Sequence, residues 1–201
     1  NNKFIYEKDP EFDYGWADWW ESTRDLLIVN DKIYVSFVNE KSKDCVNVEI
    51  LSADFNYEYI NFDYFFSNDE CVMRTDYPLY NGMVAGGKLV NFNNNEILMS
   101  TGDFRNWEKA QDDNSYLGKV IAIKIDSLEY YLISKGLRNP QGLALTKNKN
   151  YLIETEHGPV GGDEINLIEI NELQNFGWPI SSYGKHWFPE NYEMKDGIAT
   201  L

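Results

Sequence analysis

From residue 25 onward, short apolar runs alternate with polar turns. The runs are DLLIVNDKIYVSFVN (25–39), VNVEILSADF (46–55), GGKLVNFNNNEILMSTGD (86–103), LGKVIAIKID (117–126), EYYLISKG (129–136), QGLALTKNKNYLIETE (141–156) and DEINLIEI (163–170). They are rich in β-branched and aromatic residues and are bounded by Asn, Asp and Gly, which predicts strands joined by tight turns. Two segments repeat one pattern of apolar strand, short polar turn and apolar strand, KLVNF-NNN-EILMS and GLALT-KNK-NYLIE, and DLLIV-ND-KIYVSF follows it more loosely. Each reads as an antiparallel hairpin. No stretch carries apolar residues at helical spacing over several turns, apart from a short turn near Asp18 to Thr23. The predicted class is all-β. Hairpins recurring at intervals of tens of residues favour a propeller of four-stranded blades, with a sandwich as the competing architecture. A long polar segment, FRNWEKAQDDNS (104–115), interrupts the strands. Long loops on a rigid β scaffold are where functional groups tend to lie.

Composition narrows the functions open to such a chain. It has 201 residues and 43% hydrophobic content, enough for a packed core. Eighteen Lys and Arg against 33 Asp and Glu give a formal charge of -15, which opposes phosphate backbones and anionic lipid and argues against a nucleic-acid partner. Carboxylate-rich loops also suit hard cations such as calcium. No run is long and apolar enough to span a bilayer. Two cysteines, Cys45 and Cys71, and two histidines show no zinc-type spacing. The cysteines are read either as one disulfide in an oxidising compartment or as two reduced thiols.

Three segments in order carry a family resemblance: GLRNPQGLALT (136–146), ETEHGPVGGDEINLIEI (154–170) and NFGWPISSYG (175–184). Together they resemble the glucose/sorbosone dehydrogenase family of soluble sugar dehydrogenases, which use pyrroloquinoline quinone (PQQ) and calcium. Upstream, GGKLVNFNNNEILMSTGD resembles the family's G-R-L strand and T-G-D turn, and AQDDNSYLGKVIAIKID (110–126) resembles its A-Q-D and L-L-G-K segment. The resemblance runs from Asp25 to Tyr183, weakly before Gly86, and implies a six-bladed β-propeller. Residues 1–201 would supply about three to four of the blades, so the chain is read as an internal fragment of a single propeller domain.

The resemblance also implies site residues. Arg138, Asn139 and Gln141 of R-N-P-Q-G correspond to PQQ contacts, where a guanidinium fork can engage carboxylates or quinone oxygens in a way lysine cannot. Without the downstream motifs, the same five residues read as a polar turn between strands. Gly158 and Pro159 of E-H-G-P correspond to backbone calcium ligands, and carbonyl oxygens are suitable donors to that ion. His157, between them and the strand, is read as structural. Glu164 and the backbone at Phe176, which replaces a family tyrosine, correspond to a second, structural calcium; the alternative for Glu164 is a surface carboxylate.

One position departs from the pattern. Aligning Gly86, Gly87, Lys88 and Leu89 with the family's H-x-G-G-R-L places Val84 where the catalytic histidine is expected, and no histidine occurs in TDYPLYNGMVAGG (75–87). Valine cannot accept a proton. Lys88 replaces the arginine, keeping charge but losing the fork. Asp103, which matches the carboxylate that orients the family histidine, is the residue left to act as base. The expected function is therefore a PQQ- and calcium-dependent dehydrogenase-like protein for a sugar or other alcohol. The alternative is a non-catalytic propeller that binds carbohydrate, calcium or a protein partner. The family also implies a periplasmic or secreted location, while the electron acceptor and the substrate are not named by any motif.

Overall fold

The computed structural model describes residues 22–42, 45–55, 58–73 and 83–185. The short turn anticipated near Asp18 lies outside these residues up to position 21, and Thr23 already opens the first strand. Three sheets follow one another along the chain, antiparallel but for one short parallel pairing in the second. The first contains β1 (Thr23–Val29), β2 (Lys32–Ser42), β3 (Cys45–Asp54) and β4 (Asp63–Phe66), with the short β5 (Val72–Met73) also on β3. The second contains β6 (Gly86–Asn93), β7 (Glu96–Thr101), β8 (Lys119–Lys124) and β9 (Tyr130–Lys135). The third contains β10 (Pro140–Leu145), β11 (Tyr151–Glu156) and β12 (Glu164–Glu169). All three anticipated hairpins are present, as β1/β2, β6/β7 and β10/β11.

The innermost strands meet side by side, with β6 between β1 and β10. The second sheet is thus covered on both faces. Successive side chains of a strand point to opposite faces, and β7 shows the consequence. Ile97 and Met99 pack toward the first sheet with Val48, Ile50, Ile121 and Ile123. Leu98 packs toward the third with Val120, Ala122, Leu152 and Ile168. That is why β8 reads as the continuous apolar run VIAI rather than as alternation. Both outer sheets also leave apolar side chains exposed, Leu26 and Ile28 on β1 and Ile165 and Leu167 on β12.

Two tertiary ties position the loops. The 104–115 segment, which holds a 3-10 helix at Trp107–Ala110, wraps over the buried Lys119, whose ammonium donates to the carbonyls of Lys109, Ala110 and Leu117 at 2.7, 3.0 and 2.7 Å. Burial pushes this lysine down to about 8, and the three carbonyls account for all its protons. After β12 the chain returns to the second sheet, where β13 (Gln174–Asn175) pairs in parallel with β9. Gln111 clamps this return, donating to the Trp178 carbonyl at 2.6 Å and accepting from Asn175 at 2.7 Å.

Cys45 and Cys71 form a disulfide that joins the start of β3 to the segment before β5, with Cα atoms 5.4 Å apart and a sequence separation of 26. Closing a loop of that length restricts the unfolded chain by about 3.5 kcal/mol. Replacing both cysteines by alanine is expected to lower unfolding free energy by roughly 2 to 4 kcal/mol, measured by urea denaturation; an unchanged midpoint would show that the first sheet does not depend on the bond.

Candidate functional site

The T-G-D turn at the end of β7 leads into a strained corner. Gly102 lies so close to Val84 that a Cβ there would stand 1.8 Å from the Val84 carbonyl oxygen, so only glycine fits. Val84 itself has φ +62°, and Phe104 and Arg105 have φ +50° and +65°. A left-handed conformation is costly for a β-branched residue. The corner is held by backbone bonds from Gly102 N to the Ala85 carbonyl at 2.8 Å and from Phe104 N to the Val84 carbonyl at 3.1 Å.

Between those two bonds sits Asp103, with no exposed surface. Its Oδ1 accepts from Arg105 N at 2.7 Å and its Oδ2 from the Trp178 indole Nε1 at 2.6 Å. Its own N–H donates to the Arg138 carbonyl at 2.9 Å. Burial pushes the carboxyl up to about 6, against the lowering pull of the Arg105 amide, the Arg138 charge and the indole. Trp178 was not singled out by the sequence reading. It reaches Asp103 only because β13 folds back onto β9, so no local signal marks it.

Arg138 lies against the same indole, with Cζ 5.6 Å from the ring centroid. Its Nη1 donates to the carbonyls of His157 and Gly158 at 2.6 and 2.8 Å. Asn139 is buried and built into the frame: its N–H donates to Glu156 at 3.1 Å, and its side-chain oxygen accepts from Gly86 N at 3.3 Å. Gln141 is exposed on β10. Val84, Asp103, Arg138, Asn139 and Gly158 therefore share one end of the sheets, close to where β6 and β10 adjoin. Lys88 lies apart from them in an ion pair with Asp25 at 2.9 Å.

The E-H-G-P-V-G-G turn is equally tight. A Cβ on Gly158 would stand 1.7 Å from the Gly162 carbonyl oxygen. Gly158 N donates to Asp163 at 3.2 Å, and Gly162 N donates to the Pro159 carbonyl at 2.8 Å. The two carbonyls that converge on one cation, the guanidinium, are those of His157 and Gly158. Of the expected calcium ligands, the Gly158 carbonyl accepts from Arg138 and the Pro159 carbonyl from Gly162 N; such oxygens are of the kind calcium takes, and they would supply two of the roughly six to eight it needs. The exposed His157 imidazole stands 3.5 Å from Asp163.

Behind this turn, β11 and β12 place three carboxylates on their inner face. Register pairs Glu154 with Asn166 and Glu156 with Glu164. Asn166 Nδ2 lies 3.0, 3.5 and 3.4 Å from Glu154, Glu156 and Glu164. Burial raises all three, Glu154 to about 8 and Glu156 well above the ordinary carboxylate range, where the Glu154 charge adds to the rise. Glu154 Oε1 has no hydrogen-bond partner. Among the described residues, no group of three or more His, Cys, Asp or Glu is arranged to hold a metal. Phe176 follows β13, donates its N–H to the Lys135 carbonyl at 2.9 Å and packs into the cluster between the second and third sheets. Glu154 and Glu156 could have been found in the sequence, because alternation along YLIETE puts them on the same face as Leu152.

The sequence profile described as Glucose / Sorbosone dehydrogenase matches residues 28–199. This chain belongs to that family. It is 32% identical over 126 residues to aldose sugar dehydrogenase YliI of Escherichia coli, covering 56% of this chain and 33% of that protein. It is 38% identical over 80 residues to quinoprotein glucose dehydrogenase B of Acinetobacter calcoaceticus, covering 34% of this chain and 16% of that protein. The apo structure of the soluble Escherichia coli aldose sugar dehydrogenase superposes with a TM-score of 0.69 at 22% identity, over 84% of this chain and 52% of that one. The PQQ-bound aldose sugar dehydrogenase of Streptomyces coelicolor gives 0.60 at 21%, over 75% and 44%. The family member is thus an all-β, partial β-propeller, and it spans a third or less of the curated relatives named here. No helix among its described residues is long and apolar enough to cross a membrane.

The raised Asp103 carboxyl makes stability depend on pH in a stated direction. The folded protein keeps this proton to about pH 6, whereas the ordinary value is 3.8, so between these limits the folded state binds more protons than the unfolded one. Stability then falls as pH rises through the window, by roughly 3 kcal/mol from this group. Asp103→Asn is expected to make the slope between about pH 4 and 6 shallower by about one proton, measured by urea denaturation across pH; an unchanged slope would contradict the assignment.

Proposed function

We propose that this chain forms part of a dehydrogenase-like propeller that binds PQQ and calcium and receives a sugar or another alcohol, with proton transfer impaired at position 84. The observation supporting this reading is the cluster at one end of the sheets, where the R-N-P-Q-G guanidinium meets the E-H-G-P carbonyls. Bound PQQ would supply a quinone able to accept hydride from the alcohol carbon, with calcium polarising a quinone oxygen. Arg138 and the exposed Gln141 would bind and orient the cofactor's oxygens, and the buried Asn139 would hold the backbone that carries them. The carbonyls of Gly158 and Pro159 would hold the metal. Glu164, lying beside buried Glu156 across the β11–β12 ladder, and the backbone at Phe176 are the proposed donors to a second calcium.

The substrate hydroxyl must lose a proton, and here the residues present are poorly suited. The Val84 side chain has no acceptor atom. Asp103 is buried with each oxygen already accepting a bond, so it holds Trp178 and the corner rather than facing a substrate. These two observations favour a second reading, in which the propeller binds carbohydrate, calcium or a protein partner without turnover. A periplasmic or secreted location is proposed with either reading, supported by the Cys45–Cys71 disulfide.

Calorimetry of PQQ binding to the full-length protein, with and without calcium, followed by dye-linked oxidation of an aldose panel, tests the proposal. Calcium-dependent binding is expected, with turnover slowed by about 100- to 10,000-fold relative to an enzyme with a placed base. Val84→His is expected to recover part of that factor, since histidine tolerates the left-handed backbone at this position better than valine. Absence of PQQ binding in the folded protein would refute the cofactor reading.

A further inference from the structure

One of the two carbonyls that would face a calcium ion, that of Gly158, already receives a cation. Arg138 Nη1 donates to the His157 carbonyl at 2.6 Å and to the Gly158 carbonyl at 2.8 Å. A guanidinium Nη carries two protons, and both are used on this pair. Neither partner is free to drift. The guanidinium lies against the Trp178 ring, and that indole is fixed by its bond to buried Asp103. On the other side, the Gly158 carbonyl belongs to a turn held by the Gly158 N–H to Asp163 and too tight for any side chain at 158.

A calcium ion bound to the Gly158 oxygen would sit about 2.3 to 2.6 Å from it. The Nη1 atom stands 2.8 Å from the same oxygen. Two like charges would then be a few ångström apart in a half-buried corner, where water screens them weakly. We propose that Arg138 and calcium are mutually exclusive occupants of the Gly158 carbonyl, so that the guanidinium leaves this turn when the metal binds. This inference rests on the calcium reading above. Once displaced, the guanidinium fork is available to a carboxylate-bearing ligand, so metal and anionic ligand favour each other's binding.

The test is a calcium titration of the full-length protein, as wild type and as Arg138→Gln, by calorimetry. In parallel, side-chain NMR on 15N-arginine-labelled wild type follows the Arg138 Nε signal, assigned by its loss in the variant. Arg138→Gln is expected to bind calcium about tenfold or more tightly, and saturating calcium is expected to shift the wild-type Arg138 signal. If circular dichroism shows the variant misfolded, the wild-type NMR titration decides alone. Calcium binding with an unmoved Arg138 signal, or with equal affinity in a folded variant, overturns the exclusion and leaves the calcium reading standing. No calcium binding by wild type or a folded variant overturns both.

Discussion

A carboxylate without exposed surface must find its donors inside the fold, and Asp103 finds them in segments far apart in the chain. Its two oxygens take the Arg105 amide and the Trp178 indole, and its amide takes the Arg138 carbonyl. One buried charge-bearing group thus draws together the end of β7, the entry to β10 and the return after β13. Leaving any of these partners out would strand a polar atom away from the surface, at a cost of about 1 to 3 kcal/mol or more for a charged group. Trp178 then supplies the surface on which the Arg138 guanidinium lies. The candidate site depends on Asp103 for its shape, whatever its chemistry.

That network needs a rigid support, which comes from burial of the second sheet on both faces. Ile97, Met99 and Ile121 face one neighbour, and Leu98, Val120 and Ala122 face the other. Each Leu or Ile removed from water in this way contributes about 1.5 to 3 kcal/mol, so the strands carrying the T-G-D turn have little freedom to shift. The same burial extends to less suitable side chains. Glu154 and Glu156 are drawn onto the inner face of the third sheet beside Leu152, where they gather around Asn166 with carboxyl groups that hold their protons far above the ordinary range.

The corner at Val84 combines strain with lost chemistry. Its left-handed φ is one that valine adopts at a cost, and it persists because Gly102 and Phe104 hold its carbonyl side. The fold therefore keeps the backbone geometry of the turn while the side chain there offers no proton acceptor. Around it, the guanidinium, the carbonyl turn and the indole remain assembled. On the proposed reading, binding and proton transfer would be separable in this protein, because they would rest on different atoms: backbone and Arg138 for the first, a side chain at position 84 for the second.

Much of this was legible in the sequence. Alternation and turn residues specified the hairpins β1/β2, β6/β7 and β10/β11, since a strand's two faces differ in solvent and its turns need particular backbone angles. The motifs around 136–146 and 154–170 named Arg138, Asn139 and Gly158 because they are local and contiguous. What only the tertiary structure decided were relations between distant residues: Trp178 as the partner of Asp103, Arg138 as the cation on the His157 and Gly158 carbonyls, Asn166 as the shared partner of Glu154, Glu156 and Glu164, and Cys45 bonded to Cys71. Local patterning sets which face of a strand avoids water, but a buried polar group chooses its partner only once packing has brought the donors within reach.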